Sequence, residues 1–126
     1  MPVKSFRPTT PSRRYISVLA SEGATSKSVA GISAPRGLIK PLPKASGRNN
    51  MGRITSFQKG GGHKRQYRVV DFKRDKLGIP ARVLDVHYDP NRTVRLALVV
   101  YADGEKRYIL APLNLNVGDS VLASAS

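Results

Sequence analysis

The sequence has no cysteine, few acidic residues and no long apolar run. Without cysteine the chain has neither a disulfide framework nor a thiolate metal site, which fits a reducing compartment. No apolar run approaches the roughly 18 residues that a membrane span requires. The amino terminus, "MPVKSFRPTTPSRRY", lacks the apolar core of a signal peptide, and its three prolines break the amphipathic helix of a transit peptide. We therefore expect a chain that works where it is made and has no membrane partner.

The charge of the chain is strongly basic and unevenly spread. There are 22 Lys and Arg against 8 Asp and Glu, which gives a formal net charge of +14. Residues 1–70 contain 14 of these bases and a single acid, Glu22, whereas residues 71–126 contain 8 bases and 7 acids. In a chain with no membrane or secretion signal, a basic balance of this size indicates a nucleic acid partner.

The first 65 residues have the composition of an extension rather than of a folded domain. They hold most of the prolines and glycines, and their apolar residues come singly or in pairs, with no period of 2 or 3.6. Such a stretch buries too little surface to offset the entropy lost on ordering. We expect residues 1–65 to be a basic extension with little regular structure that is ordered by its partner.

From residue 66 onward, apolar residues alternate with polar ones, which is typical of β-strands. Five short strands are predicted within residues 66–126, with turns at Asp89-Pro90-Asn91 and at Asp103-Gly104. No segment predicts a helix. Five strands in about 60 residues suit a small closed barrel, either an OB-fold or an SH3-like barrel, because closure removes exposed sheet edges. The predicted fold is therefore mainly β, a small five-stranded OB-fold-like barrel that follows the basic extension.

The alternation also predicts which residues face the core. In "QYRVVDFKR" it predicts Tyr67, Val69 and Phe72 as inward residues and Arg68 on the opposite face. In "IPARVLDVHYD" the register is ambiguous, and a β-bulge is predicted there. His87, in this segment, is predicted to be a half-buried strand residue.

No group of residues indicates catalysis. The acids lie in turns or beside bases, so no carboxylate pair is available for acid–base chemistry. "GRNNMGRIT" places Gly47 and Gly52 at the spacing of a nucleotide-hydrolysing phosphate loop, but Arg53 stands where a lysine is required and no strand precedes it. Neither His63 nor His87 lies at metal-ligand spacing. We expect no enzymatic activity, no metal site and no small-molecule substrate.

Basic residues recur every few positions from residue 48 to residue 68, around the glycine triplet of "SFQKGGGHKRQYRVVDF". An extended chain rises about 3.3 Å per residue, so these cations can follow a phosphate backbone. Residues 60–62 lack side chains where backbone amides can bind an anion, and the neighbouring amide and imidazole side chains can contact bases or ribose. A solvated flexible linker is the alternative interpretation. The predicted RNA-binding residues here are Arg48, Asn49, Asn50, Arg53, Lys59, Gly60, Gly61, Gly62, His63, Lys64, Arg65 and Arg68.

Several long motifs together resemble the amino-terminal half of the bacterial-type ribosomal protein L-two family, the universal large-subunit protein two. They are "KSFRPTTPSRR" at the start, then "GRNNMGRIT", "KGGGHKRQYRVVDF", "YDPNRT" and "YADGEKRYILAP", in the order and spacing of that family. The stretch from about residue 22 to residue 44 is the least similar. The resemblance implies an extension that threads into large-subunit ribosomal RNA and a following OB-fold.

The resemblance also implies partners and further contact residues. The expected function is that of a structural constituent of the large ribosomal subunit, which organises its RNA during assembly and translation beside neighbouring ribosomal proteins. No cofactor is expected apart from Mg²⁺ associated with the ribosomal RNA. Residues that match the tail opening the family's sequences are expected to touch RNA as well; they are Arg7, Thr9, Thr10, Arg13 and Arg14.

The chain departs from the family at its carboxyl end. Family members continue through an SH3-like second domain and a basic tail near the peptidyl-transferase region, whereas this sequence ends at Ser126. We therefore assign it no role at that centre. The hypothesis is a split protein whose second half is a separate polypeptide, as in organellar ribosomes. The mitochondrion is then the expected location, ahead of the plastid, with the bacterial cytoplasm as the other possibility.

A free-standing OB-fold binder of single-stranded nucleic acid, or an RNA chaperone, is the alternative function. Such a protein uses exposed aromatic platforms. Here the barrel aromatics fall mostly at strand positions where burial is the default, which favours the ribosomal function; they are Tyr67, Phe72, Tyr88, Tyr101 and Tyr108.

Overall fold

The computed structural model describes residues 3–19 and 30–124, and nearly all of their regular structure is β-strand. In these ranges the only helical segments are two single 3-10 turns, Arg13–Tyr15 and Arg36–Leu38. No helix among the described residues is long and apolar enough to cross a membrane. The strands are β1 Val3–Ser5, β2 Ser17–Leu19, β3 Ile39–Pro41, β4 Gln66–Arg68, β5 Ala81–His87, β6 Leu96–Tyr101, β7 Lys106–Leu110 and β8 Ser120–Val121.

The largest sheet has four antiparallel strands in the order β7-β6-β5-β8. β6 and β7 form a hairpin closed by the Asp-Gly turn, where the Gly104 amide donates to the Tyr101 carbonyl over 2.9 Å. The predicted hairpin is therefore confirmed. The pairing of β5 with β6 shifts register between Val83 and Asp85, which confirms the predicted bulge.

The remaining predicted strand, β4, is connected to this sheet by a single bridge. Val70, just after β4, forms a parallel bridge with Tyr108 of β7, and the Asp71 amide donates to the Tyr108 carbonyl over 2.8 Å. All five predicted strands are thus present, four of them in the curled sheet and β4 paired with β3, and the mainly β, OB-fold-like class is confirmed.

Both faces of the curled sheet are buried, and part of the extension covers one of them. Alternate residues of β6 point to opposite faces, so Leu96 and Leu98 lie in one cluster and Ala97 and Val99 in the other. The second cluster also contains Ala81, Val83, Val86, Tyr101 and Ile109, and is flanked by Ile79, Ala111, Leu115 and Val121. The first is completed by Val70 and Tyr108 and is flanked by Leu84 and by Ala34 and Leu38 from the extension.

Two further contacts attach the extension to the barrel. β3 pairs antiparallel with β4, so Ile39 lies opposite Arg68. Asp85, which is fully buried, accepts hydrogen bonds from the backbone amides of Ala30 and Ile32 at 2.8 and 2.9 Å. We call this contact the Asp85 latch. Residues 30–41 therefore have protein partners of their own.

The inward and outward faces of β4 differ from the prediction. Arg68 is buried rather than outward, Tyr67 and Val69 are half-buried, and Phe72 is 65% exposed. The prediction for this strand was wrong because Val70, through its bridge to β7, is the residue that enters the core. A buried carboxylate also gives Arg68 a partner inside the protein, as described below.

His87 belongs to a buried polar cluster, so the prediction of half-burial is wrong. Its side chain is 2% exposed, its Nδ1 lies 2.6 Å from the Tyr108 hydroxyl, and its Nε2 lies 3.3 Å from Asp85 Oδ2. This geometry fits a neutral ring in which Tyr108 donates to Nδ1 and Nε2–H faces the carboxylate. Burial raises the pKa of Tyr108 to about 12, so its hydroxyl stays protonated.

The pH dependence of stability follows from this cluster. Burial lowers the pKa of His87 from its usual 6.5, although Asp85 opposes the shift. Below that pH the unfolded chain binds a proton that the folded chain does not, so the free energy of unfolding falls as the pH drops. We expect a slope of at most about 1.4 kcal/mol per pH unit in urea titrations below pH 6.5.

Replacing His87 by glutamine tests this assignment. His87→Gln should flatten the slope, because it removes the group whose pKa is lower in the folded chain. An identical slope in wild type and His87→Gln would contradict the assignment.

Asp85 affects the free energy of unfolding at a lower pH than His87 does. Burial raises its pKa, but the amides of Ala30, Ile32 and Val86 outweigh this and lower it below 3.8, so its stabilisation is complete above that pH and is lost below it.

Candidate nucleic-acid interface

Six of the 13 basic residues of the extension lie on one loop, residues 42–65, which connects β3 to β4 and which we call the basic loop. The β3–β4 pairing closes its base, and Lys44 Nζ donates to the His63 carbonyl over 2.6 Å just above it. The basic loop has no acid, so nothing on it neutralises its positive charge. Its exposed bases are Lys44, Arg48, Arg53, Lys59, Lys64 and Arg65.

Within the basic loop, residues 45–56 form a tight internal turn. Arg48 forms a backbone bridge with Ile54, and Asn49 Oδ1 accepts hydrogen bonds from the amides of Met51 and Arg53 at 3.0 and 2.9 Å. The side-chain oxygen of Asn49 is therefore used to shape the turn. This turn places Arg48 and Arg53 close together, while Asn50 is exposed beside them.

The glycines of the basic loop differ in what the backbone requires of them. Gly47 has a φ of +73°, and a Cβ there would lie 2.1 Å from the Ser56 carbonyl oxygen, so only glycine fits. In the triplet, only Gly62 has a positive φ, and a Cβ at Gly60 would meet nothing within 4 Å. The backbone around Gly60 is open to close approach from outside.

The basic loop also exposes large apolar side chains. Met51 is 74% exposed, Ile54 65% and Phe57 80%. Apolar groups clustered on an otherwise charged surface are typical of an interaction site. Together with the cations, they favour a partner that offers both charge and apolar surface, as the phosphates and bases of RNA do.

The carboxyl end of the basic loop borders an open cleft of about 660 Å³, which we call the cleft. Its other wall is the segment after β5, with Tyr88 and Pro90. Asn91 joins the two walls, because its Nδ2 donates to the Gln66 carbonyl over 2.7 Å and to Asp89 Oδ1 over 3.0 Å. The residues that line the cleft are His63, Lys64, Arg65, Gln66, Arg68, Tyr88 and Pro90.

The acid nearest the cleft is buried and paired. Asp89 is fully buried, with Oδ1 3.3 Å from Arg68 Nη1 and Oδ2 2.9 Å from Arg92 Nε. Arg68, predicted to bind RNA, therefore forms part of the cleft wall with its guanidinium on Asp89. Because two arginines pair with one carboxylate, the cleft keeps a positive balance.

Three exposed acids of the barrel, Asp75, Asp103 and Glu105, lie around the β6–β7 hairpin and pair with bases, whereas exposed Asp119, before β8, accepts from the Asn116 amide. Arg107 forms ion pairs with Asp71, Asp75 and Glu105. Lys76 pairs with Glu105 and Asp103. The hydrogen bond from Arg107, with that from Lys76, lowers the pKa of Glu105. Such exposed pairs add little stability, but they give each of these acids a basic partner within the barrel. No three His or acid side chains gather as a metal site in residues 3–19 or 30–124.

The predicted RNA-binding residues of the tail lie on the β1–β2 hairpin. Strands β1 and β2 pair antiparallel, and the connecting turn is held in part by Thr10, whose Oγ1 accepts from the Arg13 amide over 3.3 Å. The Arg13 guanidinium lies 5.4 Å from the centre of the Phe6 ring. Arg14 lines a shallow cleft of about 210 Å³ with both threonines of the turn. All five predicted residues here, Arg7, Thr9, Thr10, Arg13 and Arg14, are exposed.

Sequence reasoning missed the second wall of the cleft. Tyr88 is 52% exposed, although its position at a strand end predicted burial. The bulge between Val83 and Asp85 shifts the alternation of β5, so counting residues from the start of the strand does not predict the side on which Tyr88 lies. The Asp89-Pro90-Asn91 turn was predicted, but its contact with the basic loop was not.

A curled β-sheet that carries an acid-free loop with six exposed cations, and whose acids are mostly buried or paired with bases, has the surface of a nucleic-acid-binding protein. The family model "Ribosomal Proteins L2, RNA binding N-terminal domain" matches residues 35–123. The chain therefore belongs to this family of ribosomal proteins, and its role is a structural one in the large ribosomal subunit.

The family match confirms the resemblance seen in the sequence motifs from residue 47 onward. It also includes residues 35–44, part of the stretch that looked least similar. The opening motif "KSFRPTTPSRR" precedes the matched range, so its assignment to the family's tail stays a prediction.

Proposed function

We propose that this chain binds large-subunit ribosomal RNA mainly through the basic loop and holds RNA segments together during assembly and translation. The observation that carries the proposal is a loop with six exposed Lys and Arg and no acid, anchored at its base to the barrel. The proposed contacts are the residues predicted from the sequence, on the basic loop and on the β1–β2 hairpin. Arg68 acts from the cleft wall, and Asn49 acts by shaping the internal turn.

The shape of the basic loop supports binding to RNA. The internal turn and the Lys44–His63 hydrogen bond order part of the basic loop before RNA arrives, so less conformational entropy is lost on binding. Phosphates attract the cations and release counterions. Phe57 and Met51 then have bases or ribose to pack against.

Lys64 and Arg65 provide the direct test of phosphate binding. Replacing both by alanine should weaken binding to large-subunit ribosomal RNA. It should also make the negative slope of log affinity against log salt shallower by about 1.4 to 1.8, since each phosphate contact contributes about 0.7 to 0.9 to the size of that slope. Fluorescence anisotropy at several salt concentrations measures both quantities. The expected loss is similar for different RNA sequences, because phosphate contacts carry no sequence information.

The matched control for this pair is Lys73→Ala with Lys106→Ala, two exposed bases outside the basic loop. This control removes the same charge, so it separates a local contact from the effect of net charge. An unchanged salt slope in the Lys64/Arg65 variant, or an equal loss in the control, would count against phosphate binding by the loop.

Sedimentation distinguishes a ribosomal constituent from a free-standing nucleic acid binder. We expect the chain to migrate with large subunits through a sucrose gradient at moderate salt. Recovery only in the soluble fraction would favour the alternative. Tyr101 and Tyr108 are buried, as the strand positions predicted, but Phe72 and Tyr88 are exposed, so the prediction of burial is wrong for these two. The family match now supports the ribosomal function in its place.

The separate polypeptide with the SH3-like half and the mitochondrial location stay predictions. Peptide mass analysis of purified large subunits tests both of them. The split hypothesis expects the SH3-like half in a second polypeptide, and a single polypeptide with both halves would contradict it. Large subunits recovered from purified mitochondria should contain this chain if the location is right.

A further inference from the structure

We propose that the cleft receives the base of one unpaired RNA nucleotide, with Tyr88 as the surface on which the base stacks and with Lys64 and Arg65 on the adjoining phosphates. This inference rests on the proposed function and names the feature of RNA that the site recognises. A base within a duplex is covered on both faces by its neighbours, so only a bulged, looped or terminal nucleotide can enter.

Tyr88 is half exposed between two buried residues. It lies between His87 and Asp89, which are 2% and 0% exposed, whereas Tyr88 itself is 52% exposed. The buried neighbours fix the backbone on both sides, so the ring is presented with little freedom to lose. An exposed aromatic ring on fixed backbone is the usual platform for an RNA base.

The dimensions of the cleft suit a nucleotide. Its volume of about 660 Å³ lies within the roughly 300–1,000 Å³ typical of small-ligand sites. The lining combines the apolar faces of Tyr88 and Pro90 with the exposed amide of Gln66. An amide both donates and accepts, so Gln66 is able to pair with the edge of a stacked base.

Charge around the cleft favours a nucleotide over an apolar peptide. His63, Lys64 and Arg65 form one rim, and no exposed carboxylate is among the lining residues. Asp89, beneath the cleft, is neutralised by Arg68 and a second arginine. An entering phosphate therefore meets positive charge only, while the base meets the aromatic wall.

The two walls of the cleft are held together by hydrogen bonds within the protein. The Asn91 hydrogen bonds to the Gln66 carbonyl and to Asp89 join the turn after β5 to the start of β4. The distance between the stacking surface and the basic rim is therefore set before RNA binds, which reduces the entropy lost on binding.

Two RNA duplexes test the inference on the full chain. One carries a single bulged adenosine, and the other carries an abasic residue at the same bulge, so they differ only by the base. Wild type should bind the bulged adenosine about tenfold more tightly, since stacking one base on an aromatic side chain supplies a gain of this size. Tyr88→Leu should bind both duplexes equally, whereas Tyr88→Phe should retain the preference.

Phe72→Leu is the matched control, because it removes another exposed ring that does not line the cleft, and it should behave as wild type. Equal binding of the two duplexes by wild type, or an intact preference in Tyr88→Leu, would overturn the inference and leave the proposed function standing. Failure of wild type to bind either duplex would overturn this inference, and failure to bind large-subunit ribosomal RNA in the same assay would overturn the proposed function as well.

Discussion

Replacing Asp85 by alanine is expected to lower the free energy of unfolding by about 3–5 kcal/mol, because several buried donors lose their acceptor at once. The carboxylate is fully buried and accepts from the amides of Ala30, Ile32 and Val86, while His87 Nε2 lies 3.3 Å away. Domains of this kind are stable by only about 5–15 kcal/mol, so the loss would be a large fraction of the total stability.

The Asp85 latch has a local signature in hydrogen exchange. In the wild type the amides of Ala30 and Ile32 are hydrogen-bonded to Asp85, so they should exchange slowly. In Asp85→Ala both should exchange at rates close to those of an unstructured chain under conditions where β6 is still protected. Unchanged protection at these two amides would show that something other than Asp85 holds the segment.

Two further variants separate charge, shape and position. Asp85→Asn keeps the size of the side chain and one carbonyl acceptor, so its stability should lie between those of wild type and Asp85→Ala. Asp119→Ala removes an exposed carboxylate that accepts from the Asn116 amide, and should change stability by about 1 kcal/mol or less. Urea denaturation measures all three, and a loss in Asp119→Ala as large as that in Asp85→Ala would contradict the role of burial.

Replacing Gly47 by alanine is expected to lower RNA affinity about tenfold or more while leaving the barrel folded. The left-handed backbone alone makes alanine unfavourable by about 1–2 kcal/mol, and each 1.4 kcal/mol lost on binding is about a factor of ten in affinity. In addition, the new Cβ would lie 2.1 Å from the Ser56 carbonyl oxygen. The Gly47 carbonyl accepts from the amides of Thr55 and Ser56, so the clash opens the internal turn that positions Arg48.

Other glycines of the basic loop provide matched controls. Gly52 has a φ of +76° but a Cβ there meets nothing within 4 Å, so Gly52→Ala isolates the backbone strain from the clash. Gly60→Ala has neither strain nor clash within the protein. RNA affinity should fall most for Gly47→Ala and less for Gly52→Ala, with an unchanged thermal midpoint for the barrel. Equal affinities for Gly47→Ala and Gly52→Ala would contradict the importance of the turn.

Gly60→Ala also tests the purpose of the glycine triplet. The protein itself leaves room for a side chain at Gly60. Any loss of RNA affinity in this variant would therefore come from a clash between the new methyl group and the RNA. A loss would support close approach of the backbone to RNA, whereas unchanged affinity would favour the flexible-linker interpretation at this position.

Much of the fold could be predicted because its signals are local. The Asp-Gly turn between β6 and β7 and the alternation of β6 depend on residues that are neighbours in sequence, and both predictions are confirmed. The basic character of residues 42–65 is likewise read from composition. The pairing of β3 with β4, which makes this segment the connection of a hairpin, joins residues too far apart for any local pattern to indicate.

The site was predictable only in part, for a related reason. Lys64 and Arg65 were predicted to bind RNA because cations in a glycine-rich segment with no acid have few uses other than binding an anion, and both line the cleft. Tyr88 was missed because the bulge in β5 changes the side on which it lies. Arg68 was assigned to the wrong face because its partner, Asp89, follows it by 21 residues and is brought close only by folding.

The sequence motifs were sufficient for the family by resemblance, and composition and short-range pattern were sufficient for a nucleic acid partner and for the strands of residues 66–126, because charge, turn chemistry and strand alternation are properties of neighbouring residues. Burial and register required the folded chain. Asp85 binds the amides of Ile32 and Ala30, which precede it by 53 and 55 positions. Asn91 joins the two walls of the cleft through its hydrogen bond to Gln66, 25 positions earlier. Such contacts depend on distances that exist only once the sheet has formed and the extension lies across it.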